Sequence, residues 1–327
     1  MADVRRAVRD NLDDLAAGAL VLVGLSGGPD SLALASGLAF EAPKRGLRAG
    51  AVIVDHGLQD GSAEVAQSAA DQAAALGLEP VIIRRVEVVS HSGPEADART
   101  ARYAALDAVA AELGATAILL GHTLDDQAET VLLGLTRGSG ATSLAGMSPV
   151  SGIYRRPLLG IRRSETVAAC ADQGLRVWND PHNEDSSYTR VRIRSQVMPL
   201  LEKELGPGIA EALARTAEHL HHDAEVLDAL AAEVTRSAAE VSEGNVLLSV
   251  NVLAAQPVAL LHRVIRIVAL ENFGVSLSSK HTQAVAQLVT NWHGQSAAHL
   301  PGIRVERLGA QLVFSSAPSV ESEVAKD

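Results

Sequence analysis

The first strongly apolar run of the chain, Ala19–Leu25, passes without a linker into Ser26-Gly27-Gly28-Pro29-Asp30-Ser31, where a helical stretch, Ser31–Phe40, begins. A buried strand, a glycine turn and a helix in that order constrain the fold more than any other feature. The strand must be covered on both faces, and the helix must pack back onto it. Three more apolar runs, Ala51–Val54, Val81–Ile83 and Ala117–Leu120, alternate with the Ala-rich stretches Ala63–Leu76 and Glu95–Leu113. Gly77 and Gly114 stand where helix ends need a left-handed residue, and Pro94 where a first turn accepts proline. The alternation predicts an α/β fold, a doubly wound parallel sheet.

After about residue 200 the pattern changes to a second, smaller and mainly helical domain. Ile209–Ala239, Val258–Glu271 and Lys280–Thr290 carry helical periodicity, and His299–Ser315 is strand-like, broken by Pro301-Gly302 and Gly309. Gly206-Pro207-Gly208 marks the boundary. The expected division is 1–200, 201–317 and a loose tail 318–327. With 47% hydrophobic but only 2% aromatic residues, the cores must be built of Ala, Val and Leu. The longest apolar run, Leu15–Leu25, contains two glycines and is too short for a membrane span, which needs about 20 residues. Asp13 and Asp14 precede it and no small-residue cleavage pattern follows, so no signal peptide and no membrane partner are expected. Cys170 is the single cysteine, which excludes an internal disulfide or a cysteine zinc cage and suits a cytoplasmic location.

The net charge of −11 argues against nucleic acid as a partner, but the charge is unevenly spread. Residues 151–194 hold 8 arginines against 5 acids, while the segments on either side are acidic. A local arginine-rich strip can bind phosphate on an acidic protein.

In the glycine loop, Gly27 and Gly28 allow positive φ and close backbone approach to an anion. Free amides at the following helix start and the helix dipole favour negative charge there. Ser26 and Ser31 add hydroxyls, Pro29 counts with the loop as a nucleotide-binding position, and Asp30 can hold a magnesium ion bridging phosphates. No Gly-Lys-Ser/Thr follows, so this is not the phosphate loop of kinases. The alternative is an ordinary glycine turn. The loop resembles the pyrophosphate loop of the ATP pyrophosphatase superfamily, which cleaves ATP between the α and β phosphates and leaves AMP on the substrate.

Four further stretches carry chemistry. Asp55, in Val54-Asp55-His56-Gly57-Leu58 at the end of the second strand, suits an adenosine contact or a turn cap. Glu95, Arg99 and Arg102 share a helix face, as a phosphate clamp or a solvated ion-paired face. In Gly121-His122-Thr123-Leu124-Asp125-Asp126-Gln127-Ala128-Glu129-Thr130, the carboxylates of Asp125, Asp126 and Glu129 can converge at a helix start to hold a metal, a cationic substrate or a proton; simple capping is the alternative. Arg137-Gly138-Ser139-Gly140 forms a loop. The last stretch runs from Arg156-Pro157-Leu158-Leu159 through Asp180-Pro181-His182-Asn183 to Tyr188, Arg190, Arg192 and Arg194. A basic strip beside an aromatic suits RNA contacts; a solvated helix start is the alternative.

Together these stretches resemble the tRNA(Ile)-lysidine synthetase family over most of residues 18–200, continuing weakly to about 315. The family pattern usually has Ser and Asn where this chain has His182 and Val191. The resemblance implies an adenine nucleotide alpha hydrolase-like fold and an ATP-dependent, carbon–nitrogen bond-forming ligase that modifies the wobble cytidine of the isoleucine tRNA with anticodon CAU. The cytidine 2-oxygen attacks the α-phosphate of ATP and pyrophosphate leaves. The ε-amine of free lysine then attacks carbon 2, displaces AMP and gives lysidine. ATP and magnesium are the implied cofactors, with Asp125, Asp126 and Glu129 for lysine or metal, Arg99 and Arg102 for reaction-centre phosphates, and Arg190, Arg192 and Arg194 for tRNA. A homodimer is left open.

Three rivals remain. A pyrophosphate-loop tRNA thiolase needs sulfur-carrying cysteines. A glutamine-dependent ligase needs an amidotransferase domain for which there is no room. A non-catalytic nucleotide sensor needs neither the carboxylates nor the arginine strip. His219, His221 and His222 read as a solvated helix face, Phe273 and Trp292 as packing, and Cys170 as a small buried residue.

Overall fold

The computed structural model describes residues 1–57, 61–87, 93–137, 140–180, 185–242 and 244–317. Leu58, Gly138-Ser139, Pro181-His182-Asn183, the tail 318–327 and the side chain of Glu95 lie outside the described residues. The chain divides into two compact units, Met1–His221 and His222–Asp327.

The first unit contains, in chain order, α1 (Ala2–Asp10), β1 (Leu20–Gly24), α2 (Pro29–Glu41), β2 (Arg48–Asp55), α3 (Ser62–Ala75), β3 (Val81–Arg85), α4 (Pro94–Leu113), β4 (Ala115–Leu119), α5 (Leu124–Thr136), α6 (Ala141–Leu144), β5 (Val150–Ser151), β6 (Tyr154–Arg155), α7 (Arg163–Asp172) and α8 (Thr189–Arg192). A π-helical turn (Ile193–Val197) leads into α9 (Met198–Leu205), and α10 (Ile209–Ala238) runs past the division. The sheet order is β3-β2-β1-β4-β6-β5. All pairings are parallel except β5 with β6.

Strand alternation explains the layers. Val21, Val23, Ala51, Ile53, Ala117 and Leu119 bury one face together with Leu32, Leu34, Ala69, Ala73 and Ala169 from α2, α3 and α7. Leu20, Leu22, Val52 and Ile118 bury the other with Leu106, Val109 and Ala110 of α4. Helices therefore cover both faces, as the apolar runs predict. The β5–β6 hairpin adds an antiparallel edge with strands of two residues, too short to carry a periodicity.

The second unit follows with β7 (Ala239–Ser242), β8 (Asn245–Ser249), α11 (Val250–Ala254), α12 (Val258–Phe273), α13 (Ser279–Thr290), β9 (Ala298–Leu300), β10 (Ile303–Leu308) and β11 (Gln311–Ser316). Its sheet is antiparallel, in the order β7-β8-β11-β10-β9. The expected terminal hairpin is β10–β11, but it belongs to five strands. Ala239–Ser242 continues directly from α10 with no breaker between, so its change to strand leaves no mark in the sequence. Ile303, Val305, Leu312 and Phe314 pack with Leu261, Val264, Val268 and Val285 from α12 and α13. Phe273 packs against this core. Trp292 does not: it is exposed, with the Arg307 guanidinium 5.4 Å from its ring. No described helix is long and apolar enough to cross a membrane.

Candidate active site

Chain order reverses between β1 and β4: from β1 the strands run outward through β2 and β3 on one side, and through β4 and β6 on the other. The carboxyl ends of two such strands leave a crevice where open α/β sheets bind ligands. The glycine loop follows β1 and the Gly121–Thr130 stretch follows β4, so two motifs far apart in sequence meet there. Gly121 makes the approach possible. A Cβ at this position would stand 3.0 Å from the Ser31 nitrogen and 3.2 Å from the Asp30 carbonyl oxygen, both fixed backbone.

Within the loop, Gly27 has φ +84° and its carbonyl accepts the Trp178 N–H at 2.9 Å. Gly28 has φ −74°, an extended helix N-cap open to any residue. The expectation of positive φ thus holds at Gly27 and is corrected at Gly28, where the turn has already been made. Pro29 occupies the first turn of α2. The Ser31 hydroxyl accepts the Ser26 N–H at 3.1 Å and donates to the Gly28 carbonyl at 3.1 Å, while the two serine hydroxyls lie 3.2 Å apart. The serines thus brace the loop.

Asp30 points away from these serines towards α7. It accepts hydrogen bonds from the Thr166 hydroxyl and from Arg163 Nε, the latter at 3.2 Å. Burial raises its pKa despite both partners. The start of α5 is held by a capping box in which Asp126 Oδ2 accepts the Thr123 N–H at 2.8 Å and the Thr123 hydroxyl at 2.9 Å. Its other oxygen accepts from Arg163 Nη2 at 2.6 Å and Arg194 Nη2 at 3.4 Å. Capping and site chemistry therefore occupy different oxygens of one carboxylate. Burial alone would raise the Asp126 pKa; Arg163 and the Thr123 bonds outweigh it and leave it below the usual range.

Glu129 is buried and accepts from Arg194 at 2.7 and 3.2 Å. Burial wins here, and its pKa is raised. Asp125 accepts from Arg162 Nη1 at 2.9 Å and from the Arg163 N–H at 2.8 Å. Arg162 also reaches Glu211 at 2.7 Å through two nitrogens. The three carboxylates do converge, but arginines neutralise them. A cavity of about 250 Å³ lies on one side, lined by Asp125, Glu129, Arg162, Arg194, Met198, Pro199 and Glu202. Among the described residues no group of three or more His, Cys, Asp and Glu could hold a metal by itself.

Arg162, Arg163 and Thr166 were not singled out from the sequence. The arginine-rich count over 151–194 carries the signal, but only its last three arginines form a run. Those three diverge. Arg194 turns into the carboxylates. Arg192 donates to the Ser186 and Ser187 carbonyls at 2.8 and 2.6 Å and so braces the loop before α8. Arg190 Nη1 lies 3.5 Å from the Thr130 hydroxyl, and Tyr188 is the N-cap of α8. Val191, where the family pattern has Asn, is buried.

On the β2 side, Asp55 Oδ1 accepts the Gly57 N–H at 2.9 Å, as a turn cap does. Burial pushes the Asp55 pKa up; this bond, Ser62 and Arg85 more than reverse it. Arg102 Nε stands 3.5 Å from His56 Nε2, and Arg99 donates to the Tyr103 hydroxyl at 3.2 Å. Burial lowers the pKa of Arg102, and the neighbouring Arg99 lowers it further. His122 lies between the two groups. Burial lowers its pKa to about 4; Asp126 opposes, while Arg156, Arg99 and Arg102 assist. Among the described residues, the buried Nδ1 atoms of His122 and His56 and the Nε of Arg156 have no hydrogen-bond partner.

Fold and loop define a PP-loop protein, and the PP-loop domain family ATP_bind_3 matches residues 2–201. The TilS substrate binding domain matches residues 248–309. The chain is 60% identical over 301 residues to the tRNA(Ile)-lysidine synthase of Leifsonia xyli subsp. xyli, covering 92% of this chain and 91% of that one. It is 52% identical over 319 residues to the tRNA(Ile)-lysidine synthase of Thermobifida fusca, covering 97% and 98%. The chain belongs to the tRNA(Ile)-lysidine synthase family. Among solved structures, the U34-tRNA thiolase NcsA from Methanococcus maripaludis, with its [4Fe-4S] cluster, shares the fold with a TM-score of 0.57 at 23% identity, over 68% of this chain and 78% of that one. The cysteine chemistry of the thiolase rival has little support here: Cys170 is the single cysteine and is fully buried, and burial pushes its thiol up to about 11.

Proposed function

We propose that the chain is an ATP-dependent ligase that joins free lysine to carbon 2 of the wobble cytidine in the CAU-anticodon isoleucine tRNA, in the cytoplasm. The observation that carries this reading is the meeting, at the ends of β1 and β4, of an anion-binding glycine loop with a carboxylate-lined cavity. The loop N–H groups receive the charge of leaving pyrophosphate after the cytidine 2-oxygen attacks the α-phosphate. Arg99 and Arg102 meet phosphate on the β2 side, and Asp55 faces the adenosine end.

Lysine is an ammonium on a four-carbon stem, and the cavity offers Asp125, Glu129 and Glu202 for the charge and Met198 and Pro199 for the methylenes. The ε-amine must lose a proton before it attacks carbon 2 and displaces AMP. Glu129, its pKa raised by burial, is the acceptor best matched to that transfer. Asp125 holds the ammonium.

Magnesium fits Asp30 and Asp126. Both are hard oxygen donors, and in the structure one guanidinium already bridges them, so the place is one where positive charge is stabilised. When bound there, the ion neutralises charge on the phosphates. The tRNA is held by Arg190 and Arg192 beside Tyr188 and by the second unit, which carries the substrate-binding match.

The test is incubation with isoleucine tRNA transcript, ATP and lysine, followed by mass spectrometry of the nucleosides and analysis of the nucleotide products. Lysidine with AMP and pyrophosphate is expected. ADP with orthophosphate, or an unmodified cytidine, would overturn the proposal.

A further inference from the structure

Arg163 reaches four acids of the site through four different groups. Its backbone N–H donates to Asp125 Oδ2 at 2.8 Å, its Nε to Asp30 Oδ2 at 3.2 Å and its Nη2 to Asp126 Oδ1 at 2.6 Å, while Nη1 lies 3.9 Å from Glu129 Oε1. The acids are poorly solvated: the side chains of Asp30, Asp126 and Glu129 are 18%, 15% and 2% exposed. Carboxylates packed this closely repel one another, and water cannot screen them. Cations among them relieve the repulsion, and the chain supplies two: Arg194 on Glu129 and Asp126, and Arg163, which also reaches Asp30.

That arrangement conflicts with a further cation. Both oxygens of Asp30 are engaged, one by Arg163 and the other by Thr166, and the free oxygen of the Asp126 capping box is taken by the same guanidinium. A guanidinium donating to these oxygens competes with a divalent ion for them, in charge and in space. Bound ATP changes the balance, because its phosphates offer a planar guanidinium new oxygen partners. We propose that the Arg163 guanidinium is the resident counter-ion of Asp30 and Asp126, and that it keeps a divalent cation off these carboxylates until a nucleotide's phosphates arrive. Arg163 is thus a positioning residue that makes metal binding depend on nucleotide. The inference rests on the reading of Asp30 as a metal ligand.

The experiment uses the full-length protein and manganese alone as the probe, with free ion counted by electron paramagnetic resonance, in the presence and absence of a non-hydrolysable ATP analogue. Wild type should bind manganese at least about ten-fold more tightly with the analogue than without it. Arg163→Gln should bind manganese alone at least about ten-fold more tightly than wild type does, and adding Asp30→Asn should remove that gain. Arg163→Lys, which keeps the charge but not the planar fork that spans the two carboxylates, should show a smaller gain and decides the matter if the glutamine variant does not fold. Manganese affinity without nucleotide that is no higher than wild type in the folded variants overturns the inference. Failure of the underlying reading looks different: Asp30→Asn alone would then leave manganese binding in the presence of the analogue unchanged, and the inference would fall with it.

Discussion

His122 gives the sharpest stability prediction, because the sign and size of its effect both follow from where it sits. Burial, with Arg156, Arg99 and Arg102 nearby, lowers its pKa from 6.5 to about 4. The folded protein therefore keeps the imidazole neutral at a pH where the unfolded chain protonates it. Stability from this group is fully present above the unfolded pKa and is lost as pH falls towards the folded one. A shift of about 2.5 units corresponds to roughly 3 kcal/mol in all, of which about 2 kcal/mol is lost between pH 7 and pH 5. His122→Asn removes the titration. Its own stability cost enters at both pH values and cancels in the difference. Urea unfolding is followed by tryptophan fluorescence in a Trp292→Phe background, which leaves Trp178 as the only tryptophan and a reporter of the first unit. The His122 protein should lose about 2 kcal/mol more than His122→Asn on going from pH 7 to pH 5. Parallel losses in the two proteins would refute the claim that burial holds this imidazole neutral.

Gly121→Ala forces a Cβ against the Ser31 nitrogen at 3.0 Å, and the ATP analogue should bind about ten-fold or more weakly by calorimetry, equivalent to about 1.4 kcal/mol; unchanged affinity would mean that the two strand ends need not approach so closely. Glu129→Gln removes the proposed proton acceptor and should lower kcat at saturating lysine about 10²–10⁴-fold, with nucleotide affinity little changed; an unchanged kcat in steady-state kinetics would move the acceptor elsewhere. Arg192→Ala should flatten the salt dependence of tRNA affinity by about 0.7–0.9 in log–log slope, whereas Arg194→Ala should leave the slope nearly alone, because its guanidinium is already paired with Glu129. Filter binding across a salt series decides it, and equal slope changes in both variants would return Arg194 to the RNA surface.

How much of this was legible before the structure depends on the range of each interaction. The parallel sheet was readable because Val21, Val23, Ile53 and Leu119 belong to apolar runs whose burial is written into composition. The glycine loop was readable because backbone geometry restricts which residues can turn there. The carboxylates of α5 were readable because helical spacing is local. Their partners were not. Arg162 and Arg163 reach Asp125, Asp126 and Asp30 only because α7 packs against α2, and no local pattern reports such packing. For the same reason the arginine run of α8 looked like one surface, although a single helical turn sends Arg192 to its own loop and Arg194 to Glu129. The strand β7 was hidden because Ala239–Ser242 follows α10 without a breaking residue.

The Asp30–Arg163 and Asp30–Thr166 bonds join residues 133 and 136 positions apart. On the ribosome such a contact must wait until the distant partner has been made, and closing the loop between them costs entropy. During synthesis the glycine loop emerges long before α7, and for that interval Asp30 has neither of its partners. Arg194, which pairs with Glu129 across 65 residues, arrives later still. The nascent chain thus carries a binding loop without its counter-charges until about three-fifths of the sequence has been made. A ribosome stalled before α7 would display a β1–β4 core able to begin folding but with its acids mutually repelling. Completion of the site is in this sense a late check on the folding of the whole first unit.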